Sequence, residues 1–567
     1  MFNIKLNRIE KTTVKHICLL SVIFLFVNWF LLIISGVWWD DWAFYSRNVE
    51  LVHEVMRQQS LPLEAYILRS VWWLPNGGYR VVVFLLFYFG SLLLYGVLRR
   101  TSVFNDQASF WITALYIAAP INDARVTLIC YGYSLGLFSF WLAFYLTTLW
   151  YEKTGRTKII LRIITVIVLV FSFNTESNMA MTLIILLWLY YMDLRLLTDY
   201  WKDLQGVVKK FIKIVFKYID YLLVPIVFYF GKHILFPGYG AYQTHNYVDW
   251  QSLPEIIRHA PQYVYRTFMN LLKNYNPEEG KKIILLVILT AAIIALFILW
   301  RGKRINNSGN KQEQGNSINY LILLVLGLIV FCIGLFPYMI VRKGPISTIY
   351  VEGRDSMLLG IGIALIIYYS VALVLKDKFH VVVYLIAIIL GAIHLNKCYF
   401  DFQEDFYYQL QFQKEVASNK DIQTGENLLC ILEYPSPCSR FYQLNANSYV
   451  ATGSLNKFYL QGVKDLKLLI DFNPLFLGAG YNMWEYNPDN KTLDGIIYIN
   501  NRPISDGDLL RLKWREIIDS DYFEEWIAAS RDIEFVTLSE EESDAIIEAY
   551  KNGVLTDDNI SDYITVE

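Results

Sequence analysis

Asp40 and Asp41 stand side by side where the first long apolar stretch ends, within Trp38-Trp39-Asp40-Asp41-Trp42-Ala43-Phe44-Tyr45. A carboxylate within hydrogen-bond reach of a hydroxyl can take its proton as the oxygen attacks, and a nearby cation can hold the charge that builds on a departing phosphate. Both residue types recur at the ends of later apolar stretches, as Arg80, Asp123, Arg125, Glu176, Lys232, Arg342, Lys343, Glu352 and Arg354. Adjacent side chains diverge by about 100° on a helix and about 180° on a strand, so one acid of the pair can readily face a cavity. Asp41, which begins the following loop, is the expected base, and Asp40 the group that orients the acceptor or a neighbouring cation. Each residue also has a plainer reading. The acid pair can be solvation of a helix end, Asp123 and Arg125 a salt bridge across a turn, and Glu176 an ion pair between helices. Arg80 and Lys232 can snorkel to an interface.

What must position these groups is a membrane bundle. The chain has 567 residues, 55% hydrophobic, 16% aromatic and only 18% charged, against roughly 25% charged in an average soluble protein. Apolar stretches near 17–38, 80–98, 108–120, 128–150, 158–174, 178–192, 219–236, 283–300, 319–340, 357–375 and 379–396 give about eleven spans; a crossing takes roughly 17–25 residues. The expected fold is therefore mostly α: a polytopic bundle over residues 1–400, with amphipathic external loops at 39–79 and 251–274. Residues 401–567 mix β-like runs (428–432, 495–499) with helical ones (509–518, 540–550), as a small α/β domain.

Charge sets the orientation. Basic residues at 5–15, Arg99/Arg100, Lys153/Arg156/Lys158, Lys202 to Lys217, Arg301/Lys303/Arg304 and Lys376/Lys378 fall on alternate loops, which the positive-inside rule places in the cytoplasm. The N-terminus is then cytoplasmic, and an odd number of spans puts both the acid pair and the tail outside. The two parts differ in charge, residues 1–400 holding 37 Lys and Arg against 22 Asp and Glu, and residues 401–567 holding 13 against 30. Scattered basic loops argue against nucleic acid as a partner. Glu176, in the short turn Asn174-Thr175-Glu176-Ser177-Asn178, is expected to face a polar cavity, since a carboxylate in hydrocarbon costs about 2.5–3.5 kcal/mol. Arg342, Lys343 and Arg354 lie on an outer loop against the positive-inside trend, which points to an anion. His53, His233 and His245 lack metal-ligand spacing and read as structural, and no metal or other cofactor is expected. Cys430 and Cys438 have the spacing of a small disulfide loop, or are two unrelated thiols. No signal-peptide cleavage pattern is evident.

A first span ending in a di-acidic pair, an amphipathic first external loop, many further spans and an external C-terminal domain resemble the C-type glycosyltransferase superfamily (GT-C). The likeness covers the first 400 residues or so and not the tail. It implies transfer of a sugar from a polyprenyl-phosphate carrier to a glycan or lipid acceptor of the cell envelope, on the outer face of the cytoplasmic membrane. It implies Asp40 or Asp41 as the base and outer cations on the donor phosphate; metal use differs among members. One direct displacement would invert the anomeric centre. A flippase or other transporter of lipid-linked glycans, and a non-catalytic envelope assembly protein, are the alternatives. Charges near mid-span are almost absent, which counts against the first of these.

Overall fold

The computed structural model of the chain describes residues 11–38, 41, 49–75, 77–195, 212–243, 248, 250–274, 317–346, 350–418, 429–432, 496–499, 506–519, 533–536 and the single residues 541, 545 and 548. The expected span at 283–300, Asp40, His245, Cys438 and most of the tail lie outside these residues.

The described chain is mostly helical. In order, the helices are α1 (Lys11–Asn28), α2 (Val49–Gln58), α3 (Pro62–Arg69), α4 (Tyr79–Arg100), α5 (Asp106–Ile117), α6 (Tyr131–Glu152), α7 (Gly155–Ser172), α8 (Asn178–Arg195), α9 (Ile219–Leu235), α10 (Leu253–Lys273), α11 (Ser317–Ile340), α12 (Gly360–Val374), α13 (Asp377–Ser418) and α14 (Asp506–Ile518). Six segments among the described residues are long and apolar enough to cross a membrane: Lys11–Leu32, Tyr79–Arg100, Tyr131–Glu152, Tyr320–Ile340, Gly353–Val374 and Asp377–Tyr407. The remaining expected spans that are described are helical but shorter or more charged. The stretch expected to cross at 108–120 is a 12-residue helix with nearly every side chain buried; at 1.5 Å per residue it covers about 18 Å, short of a hydrocarbon core of roughly 30 Å. Helix α5 is thus an interior element.

Apolar side chains point outward as well as inward. On α7, Ile159, Ile163 and Ile167 recur every four residues and are 63%, 55% and 63% exposed, a stripe that water would disfavour and lipid tails would cover. The charged ends of the same helices are tied together: Arg99 bonds Asp106 at 2.7 Å, Arg162 chelates Asp220, and Asp193 accepts from Lys217, Tyr218 and Tyr151. These ties lie at the end read as cytoplasmic.

At the opposite end, the chain leaving α1 is seated on α13. The Trp38 indole donates to the Phe402 carbonyl at 2.7 Å, and its ring packs edge-on against Phe402 and Phe406. Gly36, at φ +143°, makes this possible, because a Cβ there would lie 2.5 Å from Trp38 and 2.7 Å from Phe406. Helix α13 runs unbroken through residue 400 to Ser418, so the boundary expected there falls inside a helix. Beyond it, β1 (Leu429–Leu432) pairs parallel with β2 (Ile496–Ile499), which pairs antiparallel with β3 (Ile533–Val536). Helix α14 docks on the bundle: the Lys513 ammonium donates to Ser35 Oγ at 2.6 Å and to Glu516 at 3.0 Å, and the Tyr407 hydroxyl donates to Glu516 at 3.0 Å. Burial pulls the Lys513 pKa down and Glu516 opposes it.

Candidate functional site

The described members of the expected charge cluster fall into two sets. One set braces the backbone. Asp41 is buried, and its two carboxylate oxygens accept the amides of Leu128 (2.7 Å) and Ile129 (2.9 Å), with the Tyr79 hydroxyl at 3.4 Å. It holds the turn that leads into α6. Arg80, 1% exposed, donates to the carbonyls of Val126 (2.8 Å), Ile34 (3.3 Å) and Gly36, and its guanidinium lies over the Trp38 ring, 4.6 Å from the centroid. Arg125 donates to Asn122 O at 2.6 Å and Ile121 O at 2.8 Å, over the face of Phe87. Asp123 is fully buried in the 3₁₀ turn Asp123–Val126. A lone arginine satisfying several carbonyls in this way is a structural strut, because a loop end packed inside a bundle has no water to bond its main chain.

The second set surrounds a cavity of about 430 Å³ between α3, α6, α8, α9 and the end of α11. Its polar end holds Glu64, Asn174, Glu176, Lys343, Asp355 and the Tyr133 and Tyr338 rings; Met179, Leu183, Leu222, Ile226, Phe230 and Phe336 form apolar walls. Glu176 pairs with Lys232, which is 8% exposed, and with His233 at 3.8 Å. Lys343 reaches both Asp355 oxygens, at 3.1 and 3.2 Å. Arg342 is exposed, at φ +58°, and half-buried Arg354 is within electrostatic reach of Tyr133; neither lines the cavity. The side chain of Glu352 lies outside the described residues. His53 bonds Arg69 at 2.8 Å, away from the cavity.

Glu64 is the acid the linear reading overlooked. It is 7% exposed and hydrogen-bonded by the Asn174 amide. Burial raises its pKa to about 7, against the pull of the Asn174 bond and the Lys232 charge. The signal was present: Leu61, Glu64, Ala65 and Leu68 fall at i, i+3, i+4 and i+7, so the acid sits on the apolar stripe of a short amphipathic helix. Its room is supplied by α6. A Cβ on Gly132 would lie 1.9 Å from Glu64 Oε1, and one on Gly136, a turn later, 2.6 Å from Thr175 Oγ1. Two glycines four apart let α3 and the 174–177 turn press against the α6 backbone, as small residues do at membrane helix contacts.

The arrangement can bind an amphiphile: a polar head beside the acids and lysines, and a chain along α8, α9 and α11. No protein-family model, curated protein or solved structure matches this chain.

Proposed function

We propose that this protein is a membrane glycosyltransferase that moves a sugar, with inversion, from a polyprenyl-phosphate carrier to a glycan or lipid acceptor of the cell envelope. The single observation that carries the reading is the amphiphilic cavity, with one near-neutral buried acid at its polar end and apolar walls leading from it. An isoprenoid chain suits those walls. In this reading the eleven apolar stretches are membrane-embedded, short α5 and the chain that follows it to Leu128 together carrying the path across inside the bundle, the N-terminus is cytoplasmic, and the cavity mouth and α/β tail lie outside the cytoplasmic membrane.

Glu64 takes the acceptor hydroxyl's proton as its oxygen attacks the anomeric carbon and the carrier phosphate leaves. A base with a pKa near 7 is matched to this task at neutral pH. Asp41 acts one layer back, fixing the turn that carries Ile129 to the cavity wall. Lys343, whose ammonium keeps a donor beyond its carboxylate partner, holds the phosphate; Lys232, paired with Glu176, and Arg342 and Arg354 add positive potential.

The test is a mass comparison of envelope glycans and carrier lipids from cells with and without the protein. A sugar increment missing from the glycan, with the sugar-loaded carrier accumulating, is expected; return of the increment with the parental chain and not with a stably expressed Glu64→Gln chain completes it. Unchanged glycans would overturn the enzyme reading. Accumulation of a finished lipid-linked glycan on the inner leaflet would select transport instead.

A further inference from the structure

Where Asp123 is buried, three potential ligand atoms converge. We propose that Asp123, His394 and Cys398 form a binding site for one divalent ion of the zinc class. Their ligand atoms lie within 4.8 Å of one another, and Cys398 Sγ is 3.5 Å from His394 Nε2. A tetrahedral ion with bonds of about 2.3 Å to sulfur and about 2.0 Å to nitrogen sets those two atoms about 3.5 Å apart, so this edge of the polyhedron is already formed.

The fold builds the site from two elements far apart in sequence. His394 and Cys398 are four residues apart on α13 and share a face of the helix. The third ligand arrives because Gly391, one turn earlier on that face, admits the end of α5: a Cβ there would lie 1.8 Å from the Ala118 carbonyl. The chain leaving α5 therefore runs directly over α13, and Asp123 descends on the His394/Cys398 pair. Arg125, two residues further, is engaged with the Ile121 and Asn122 carbonyls and the Phe87 face.

Charge and softness select the ion. A thiolate, a carboxylate and a neutral imidazole around a divalent cation sum to zero, which suits a place where Asp123 is 0% and Cys398 3% exposed. Sulfur and imidazole favour zinc-class ions over magnesium or calcium. Binding breaks the Cys398 S–H bond and releases one proton to solvent, the sulfur keeping the electron pair that it donates to the metal. His394 is the least buried of the three ligands. The ion would pin the turn carrying Arg125 to α13 and carry no step of sugar transfer.

The test uses full-length protein purified in detergent without chelators. Elemental analysis should find one zinc-class ion per chain, and stripping followed by cobalt(II) should give the intense absorption of a thiolate bound to tetrahedral cobalt. That absorption should vanish in Cys398→Ser and persist in Cys18→Ser and Cys332→Ser. Should Cys398→Ser fail to fold, Asp123→Asn keeps the side-chain volume and should bind the metal at least tenfold more weakly. Folded parental protein that holds no stoichiometric metal and gives no cobalt–thiolate absorption would overturn the site, leaving a cluster joined by hydrogen bonds only.

Discussion

Replacing Glu64 by Gln separates the buried acid's cost from its use. The amide keeps the carboxyl's volume and an oxygen to accept the Asn174 bond, and it cannot ionise. Moving the carboxyl from its ordinary 4.5 to about 7 corresponds to roughly 3 kcal/mol in favour of the protonated form. The unfolded chain loses this proton near pH 4.5 and the folded chain near pH 7. The folded state therefore binds more protons between those values, and Glu64 lowers stability progressively as pH rises through that window, with no further change above it. Thermal or denaturant unfolding in detergent at pH 5 and pH 8 should show the Glu64→Gln protein gaining on its parent by up to roughly 3 kcal/mol at the higher pH. Turnover should move the other way, falling by about 10²–10⁴, and the ascending limb of the parental pH–rate profile near pH 7 should disappear. A stability difference that does not change with pH would mean that the carboxyl is solvated, and the reasoning that makes it a base would fail with it.

Asp41→Asn should destabilise rather than merely inactivate: an amide nitrogen facing the Leu128 or Ile129 N–H leaves a buried donor unmet, at about 1–3 kcal/mol, readable as a lower unfolding midpoint. A folded, parental-stability Asp41→Asn protein that is inactive would return the base to this residue. Gly132→Ala should push α3 away from α6 and cost about 1–3 kcal/mol by overpacking, with substrate affinity lost as Glu64 shifts; full activity would show that the close approach does not matter. Arg80→Met, matching length without donors, should strand the Ile34 and Gly36 carbonyls, Val126 O keeping its bond from the Tyr79 hydroxyl, and abolish accumulation of folded protein in the membrane, whereas Arg354→Ala should fold normally and raise KM for the lipid-linked donor. An impermeant thiol reagent on intact cells should label cysteines introduced across 450–560 and spare ones at Asn307 or Ser308; the reverse pattern would invert the topology.

Composition and the spacing of apolar runs were enough to set the class. Long uncharged runs must leave water, so the membrane bundle follows from composition and spacing. The sequence also carried the di-acidic pair and the helix at 253–273, because both are local patterns. Tertiary structure alone decided which charges face a cavity and which tie the main chain. That outcome depends on partners far along the chain: Asp41 meets an amide 87 residues away, Glu64 an asparagine 110 residues away, and Trp38 a carbonyl 364 residues away. A helical period says which face is apolar but not which neighbour that face meets. An acid on that face reads as an anomaly until Gly132 and Asn174 are seen to make a place for it. The same reason separates Arg80 from Lys343, two cations at the end of apolar runs: one sits where loop carbonyls lack water, and the other sits at a polar wall beside empty volume.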